Sequence, residues 1–348
     1  MPKQRDVEKR LNAFLKTIRE AAQRVEIEAG RMTDEDRVYP YDIVDDADMR
    51  RIKMRSVKYV ERLRASTGMD HLSEDNQLRL GALKGGLPVA KLTTEHEADE
   101  IAAALHEEMP WMAPATEAVW HGLRASARQG LPGLRFDPLV LVGSPGIGKS
   151  HWARRVAHHL SVPMTMIEAT GEPATFSLVG LQKGWGGAGE GKLMQTILRE
   201  RHGGPLVIID EIEKTGEVHS KKGARHTLTD ALLPLLERMT ASEWQCPFFQ
   251  VKCDLSWANW IMTANSRLGL PEPLQSRCVV LDLPNLTIDQ LRRFAETEGA
   301  RRDLPDPAME ALLDVFDSGA IAHASLSLRT VSRMLDRAET LANQPLLN

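Results

Sequence analysis

Gly143-Ser144-Pro145-Gly146-Ile147-Gly148-Lys149-Ser150 follows directly on the apolar run Leu139-Val140-Leu141-Val142, and reading these two stretches together decides the fold. A short, fully apolar run ending in a glycine-rich turn predicts a buried parallel strand, and the residues from Lys149 onward predict the helix that follows it. Glycines let backbone N–H groups curl around a phosphate. Lys149 has the reach for β- and γ-phosphates, and the Ser150 hydroxyl is a Mg²⁺ ligand by type. The positive end of the helix dipole points at the same anion. The eight positions from Gly143 to Ser150 are therefore candidate nucleotide-binding residues, although on the loop alone a kinase or a GTPase is equally open.

Further along the chain, Leu206-Val207-Ile208-Ile209-Asp210-Glu211 is an apolar strand ending in two acids. Asp210 is suited to the Mg²⁺ shell, and Glu211 to polarising a water for in-line attack on a γ-phosphate. The alternative for Glu211 is a helix cap near Ile212. Trp260-Ile261-Met262-Thr263-Ala264-Asn265 is a buried strand delivering one amide at its end, and in a nucleotide site Asn265 would position the attacking water. Leu270-Pro271-Glu272-Pro273-Leu274-Gln275-Ser276-Arg277 then puts an arginine just before a fifth apolar run. Far in sequence from its own phosphate loop, Arg277 is a candidate for projecting onto a neighbour's.

The apolar runs Leu139 to Val142, Pro163 to Ile167, Leu206 to Ile209, Trp260 to Thr263 and Cys278 to Leu281 alternate with helical stretches, the signature of a parallel α/β sheet. Ile288 to Glu298, Pro307 to Phe316 and Leu328 to Leu341 read as closing helices. Before Pro110 the texture is helical. Val7, Leu11, Phe14, Ile18, Ala21 and Val25 recur at spacings of four and three, a heptad seam open to a partner helix or to packing within its own domain. A second amphipathic helix is predicted from Ala47 to Ala65 with Met49, Ile52, Val60 and Leu63 on one face, a third near Glu95 to Glu108, and a loop at Gly81 to Pro88. The expected division is a helical N-terminal region over 1–108, serving adaptation or oligomerisation, an α/β domain over 109–285 and a helical lid over 286–348.

The 348 residues carry 44 basic and 48 acidic side chains, so the net charge of −4 makes no general case for nucleic acid. No apolar run is long enough for a membrane span and the charged N-terminus lacks a signal-peptide core, so no membrane role and a cytoplasmic location are expected. Cys246, Cys253 and Cys278 show no metal-binding spacing and are expected as buried small hydrophobes.

The order of phosphate loop, Asp-Glu strand, Asn strand, Pro-Leu-x-x-Arg and closing helices resembles the AAA+ ATPases. The nearest likeness is to the ATPase module of Lon proteases. That narrower resemblance rests on Asp210-Glu211-Ile212-Glu213-Lys214, Ala231-Leu232-Leu233-Pro234-Leu235-Leu236-Glu237, Val251 to Ser256 and Pro271 to Arg277, with Ser276 where Lon usually has Asp. It implies a three-layer α/β P-loop domain with a parallel five-stranded sheet and a small helical lid. It implies ATP and Mg²⁺ as cofactors, a ring of identical subunits, hexameric in the family, and an unidentified protein as substrate. By resemblance Asn265 is the sensor-1 residue, Arg277 the arginine finger acting in trans, and Arg329 in Ser327-Leu328-Arg329-Thr330-Val331 the sensor-2 arginine. The chain ends at Asn348 without a Lon-type protease domain, so proteolysis in cis is not expected and a separate protease or effector is a candidate partner.

Trp185-Gly186-Gly187, within the glycine-rich stretch Leu181 to Lys192, matches the substrate-gripping pore loop of Lon-like modules, with its middle residue reduced to glycine. A tryptophan anchoring its loop to the core is the alternative. Lys214 to His226 gathers His219, Lys221, Lys222, Arg225 and His226, a candidate second pore loop for acidic polypeptide or for phosphates, or else a solvated loop. Two other functions stay open, a nucleic-acid motor or loader and a nucleotide-gated scaffold for a partner enzyme.

Overall fold

A computed structural model describes residues 4–33, 38, 43–66, 68–170, 174–182, 187–214, 218–219, 225–317 and 327–343. The chain divides into two compact units, Met1–Lys84 and Gly85–Asn348.

In the first unit, α1 (Gln4–Glu28) packs on α2 (Asp46–Ser66), and α3 (Glu74–Gly81) follows. Val7, Ile52 and Val60 are buried, Ser56 donates to Glu8 Oε1 at 3.1 Å, and Arg19 pairs with Asp48 at 2.5 Å. The hydrogen bond from Arg19 holds the Asp48 carboxyl below the usual range. The heptad seam is split by this packing. Val7 faces inward, whereas Phe14, Ile18 and Val25 are exposed, as is Met49 of the predicted α2 face. Two apolar stripes lie side by side on α1, and α2 covers the one that includes Val7.

The second unit begins with α4 (Glu95–Glu108) and α5 (Ala113–Arg128), which pack on each other. The predicted boundary at 108 is thus moved to Lys84, because Ala98 and Leu105 of α4 are buried in the same apolar core as the central sheet. Trp120 Nε1 donates to Asp99 Oδ1 at 2.6 Å and ties the two helices together.

The sheet is parallel and five-stranded, with β1 (Leu139–Val142), β2 (Met164–Glu168), β3 (Leu206–Asp210), β4 (Asn259–Ala264) and β5 (Val279–Asp282) in the order β2-β3-β4-β1-β5. Its inner strands are buried on both faces, which is why they read as continuous apolar runs, while edge strand β2 alternates. Register sets Val142 beside Ala264 and Ile209 beside Met262, so the carboxyl ends of β1, β3 and β4 finish together. Crevices at such ends are where open α/β sheets bind ligands. Helix α6 (Lys149–His159) follows β1. Helices α7 (Ala174–Val179) and α8 (Lys192–Glu200) connect β2 to β3. Between β3 and β4 come α9 (Leu228–Leu236) and α10 (Arg238–Ala241), and α11 (Glu272–Gln275) precedes β5.

The closing helices are α12 (Ile288–Arg301), α13 (Asp306–Asp317) and α14 (Leu328–Ala342). Thr287 and Gln290 form a reciprocal capping box on α12, and Ser327 caps α14 by accepting from Thr330 N at 3.2 Å. Leu291, Val331 and Leu335 join the sheet's apolar cluster, so lid and sheet share one core. The three cysteines are free, and burial pushes the thiols of Cys253 and Cys278 up to about 11 and about 12. Among the described residues no helix is long and apolar enough to cross a membrane.

Candidate active site

The phosphate loop is held in shape by contacts within the chain. Gly146 and Gly148 take φ of +81° and +98°, a region that side chains with a Cβ rarely adopt. A Cβ on Gly148 would also collide with the Met109 methyl. The outward carbonyls of the loop are already bonded: Trp111 Nε1 donates to Ile147 O at 2.9 Å, and the Leu328 amide, at the start of α14, donates to Gly146 O at 3.0 Å. Satisfying the carbonyls from behind is consistent with amides facing the anion.

The loop opens on a cleft of about 1070 Å³. Lys149, Ser150, Asp210, Glu211, Asn265 and Arg329 all line it, so six separately predicted residues share one cavity. Lys149 is buried; its ammonium donates to Gly143 O at 2.6 Å, Ser144 O at 3.0 Å and Asn265 Oδ1 at 3.2 Å. Burial pushes this lysine below its ordinary value, and the carboxylates of Asp210, Glu213 and Glu211 pull the other way. A γ-phosphate brought here meets a partly desolvated cation, whose attraction is stronger than in bulk water.

Ser150 Oγ donates to Asp210 Oδ1 at 2.8 Å, which brings two hard oxygen ligands together beside Lys149. Such a pair fits Mg²⁺, which is commonly held by one or two protein oxygens with phosphates and water completing the octahedron. No cluster of three or more His, Cys, Asp or Glu suited to a metal occurs among the described residues.

Glu211 sits at φ +58°, a left-handed conformation costing on the order of 1–3 kcal/mol for a residue with a side chain. Its amide donates to Thr263 Oγ1 at 3.2 Å, and its Oε1 lies 3.4 Å from Asn265 Nδ2 and 3.0 Å from Lys214 Nζ. Asn265 thus bridges Lys149 and Glu211. The Asn265 amide donates to Glu213 Oε1 at 3.0 Å.

Arg277 lies outside the cleft of its own chain. Its Nε donates to Glu237 Oε1 at 2.5 Å and its Nη1 to Pro273 O at 3.0 Å. Arg329, on the first turn of α14, has an exposed side chain. Trp185 and Gly186 lie outside the described residues, as do the side chains of residues 215–226; Val218–His219 and Arg225–His226 pair as a two-residue antiparallel ladder. Gly187 is described, at φ +79° with open space around it. The glycines flanking this loop have a packing reason: Gly180 and Glu190 form a bridge across its base, and a Cβ on Gly191 would run into the Leu178 carbonyl.

Three contributors were not singled out from the sequence. Thr263 donates to Asp210 Oδ1 while accepting from Glu211, and its only signal is a hydroxyl after the apolar run Trp260-Ile261-Met262. Met109 and Trp111 line the cleft together with Phe294, whose ring meets the Trp111 indole edge-on at 6.5 Å. These apolar surfaces suit a flat base. Nothing in their spacing announces it, because they reach the loop only through the fold.

The ATPase family associated with various cellular activities (AAA) matches residues 139–283. Lon protease of Nitratidesulfovibrio vulgaris is 32% identical over 162 residues, 47% of this chain and 19% of the relative. Lon protease of Protochlamydia amoebophila is 26% identical over 189 residues, covering 54% and 22%. The mitochondrial Lon protease homolog of Bos taurus is 29% identical over 158 residues, covering 45% and 16%. The aligned part of the chain spans about a fifth of the length of these relatives. With β1 and its phosphate loop at the head of the matched stretch and β5 at its end, the chain carries an AAA+ ATPase module similar to that of Lon proteases.

Proposed function

We propose that this chain is a Mg²⁺-dependent ATPase that works in a ring of identical subunits, six by family likeness, and applies the energy of hydrolysis to a protein substrate. The observation that carries the hydrolytic part is the convergence of Lys149, the Ser150–Asp210 pair and the Glu211–Asn265 pair on one cleft. Lys149 and the loop amides bind the phosphates. Ser150 and Asp210 would hold Mg²⁺, which when bound would neutralise phosphate charge. Glu211 takes the proton of an attacking water that Asn265 orients, and Arg329, at the cleft rim, contacts the nucleotide from the lid. The position of Arg277 outside its own cleft supports its reading as a residue given to the next subunit. A protein substrate is supported by the relatives, which are named as proteases. Trp185-Gly186-Gly187 is the proposed grip, with a separate protease or effector downstream.

Glu211→Gln is expected to leave ATP binding intact while lowering turnover by about 10²-fold or more. An unchanged rate would remove Glu211 as the proton acceptor. Turnover per subunit is expected to rise steeply with protein concentration, since an arginine finger contributes about 10³ to 10⁵ in rate. Full activity in a protein shown to be monomeric by light scattering would overturn the shared site.

A further inference from the structure

Arg277 follows the short helix α11 and precedes β5, and its head is held at two points. Nε donates to Glu237 Oε1 at 2.5 Å, and Nη1 donates to the Pro273 carbonyl at 3.0 Å. A guanidinium carries five N–H donors in a rigid plane. These two bonds occupy the Nε side and one Nη1 hydrogen, leaving the Nη2 group for an incoming anion. Glu237 lies at the joint between α9 and α10, where the backbone is extended (φ −95°, ψ 124°). The carboxylate therefore comes from a different element than the arginine. The pair is part-exposed, with 32% of the arginine side chain and 44% of the glutamate open to solvent. It sits at the surface, where a second molecule can reach the free edge.

We propose that Glu237 is a positioning residue for Arg277, fixing the plane of its guanidinium so that the Nη2 edge meets a phosphate on a neighbouring subunit. This rests on the reading of Arg277 as the arginine given to that neighbour. A long, rotamer-rich side chain left to itself would have to find this orientation at each encounter. The carboxylate removes that search without consuming the donors a phosphate needs. Bonded through Nε and Nη1, the arginine keeps its Nη2 donors for the phosphate. Glu237 is not among the residues that line the cleft, so its role is exerted through Arg277.

The test measures steady-state ATP turnover and nucleotide binding for the full chain at saturating protein concentration, with Glu237→Ala, Glu237→Asp, Arg277→Ala and the double variant side by side. Arg277→Ala is expected to lose about 10³-fold or more in kcat. Glu237→Ala is expected to lose roughly 10- to 100-fold in kcat, as for a misplaced catalytic group, with the KM for ATP unchanged. Glu237→Asp should recover part of the loss, and adding Glu237→Ala to Arg277→Ala should cost nothing more. Normal turnover in Glu237→Ala beside an inactive Arg277→Ala would overturn the positioning role alone. Faster turnover would do the same, by showing that the carboxylate restrains the arginine. A further loss in the double variant would overturn it in favour of a structural role. Full turnover in Arg277→Ala would remove the arginine reading itself and the proposal with it.

Discussion

Thr263 shows how much a single hydroxyl carries at the centre of the site. It is 1% exposed, donates to Asp210 and accepts from the Glu211 amide, so one atom joins the Asp210 carboxylate to the strained residue beside it. Thr263→Val keeps the shape and removes both bonds. Stranding the Glu211 amide is expected to cost about 1–3 kcal/mol in urea denaturation. ATP turnover should fall while ADP affinity, read by calorimetry, changes little. At Gly148 the constraint is chiefly the left-handed backbone. Gly148→Ala puts a Cβ at φ +98° against the Met109 methyl and is expected to abolish nucleotide binding in the same calorimetric assay.

At the level of elements, α4 is joined to α6 by an acid. Glu108 accepts from Arg155 at 2.6 and 2.7 Å and meets His159 at 2.9 Å; chiefly the Arg155 bond holds its carboxyl down to about 2. Because the folded value is depressed, the contribution is complete above the unfolded value and is lost as pH falls from there towards about 2. The pair is a third open to solvent, so the gain is under about 1 kcal/mol. Glu108→Gln should therefore be slightly less stable than the parent at neutral pH, with the gap closing as denaturation is repeated below about pH 4. The same elements show what a linear reading can reach. Leu139 to Val142 was legible to the residue, and the other strands to within a residue or so at each end, because strands buried on both faces must be apolar throughout. Convergence of Lys149, Asp210 and Asn265 was legible through motif order. The partnerships of Thr263, Met109 and Trp111 were not, since each depends on which strand lies beside which. Periodicity marked α1 as amphipathic but not which of its two adjacent stripes α2 would cover, and Phe14 and Ile18 fell on the open one. Helix α4 was recognised yet assigned to the wrong unit, because its buried Leu105 looks no different in sequence from any other amphipathic leucine.

For the whole molecule, the division after Lys84 predicts that residues 85–348 fold without the first unit. All of the apolar cluster around the sheet lies within that span, from Ala98 to Leu335. Expressed alone, it should melt cooperatively within a few degrees of the full chain and bind ADP with similar affinity. A broad or absent transition would show that the first unit is needed for the core. Whether the shortened chain still shows concentration-dependent turnover would then separate the N-terminal helices from the ATPase module as the source of the proposed assembly. The indole of Trp111 adds a tool for such work. Its N–H rests on Ile147 O, at the back of the very loop that a nucleotide grips from the front. Any shift of that carbonyl alters the hydrogen bond to the chromophore, so the emission of one tryptophan among seven becomes an optical gauge of occupancy that needs no label. Titrating ADP into the protein and into Trp111→Phe, and subtracting the two fluorescence curves, would isolate that signal.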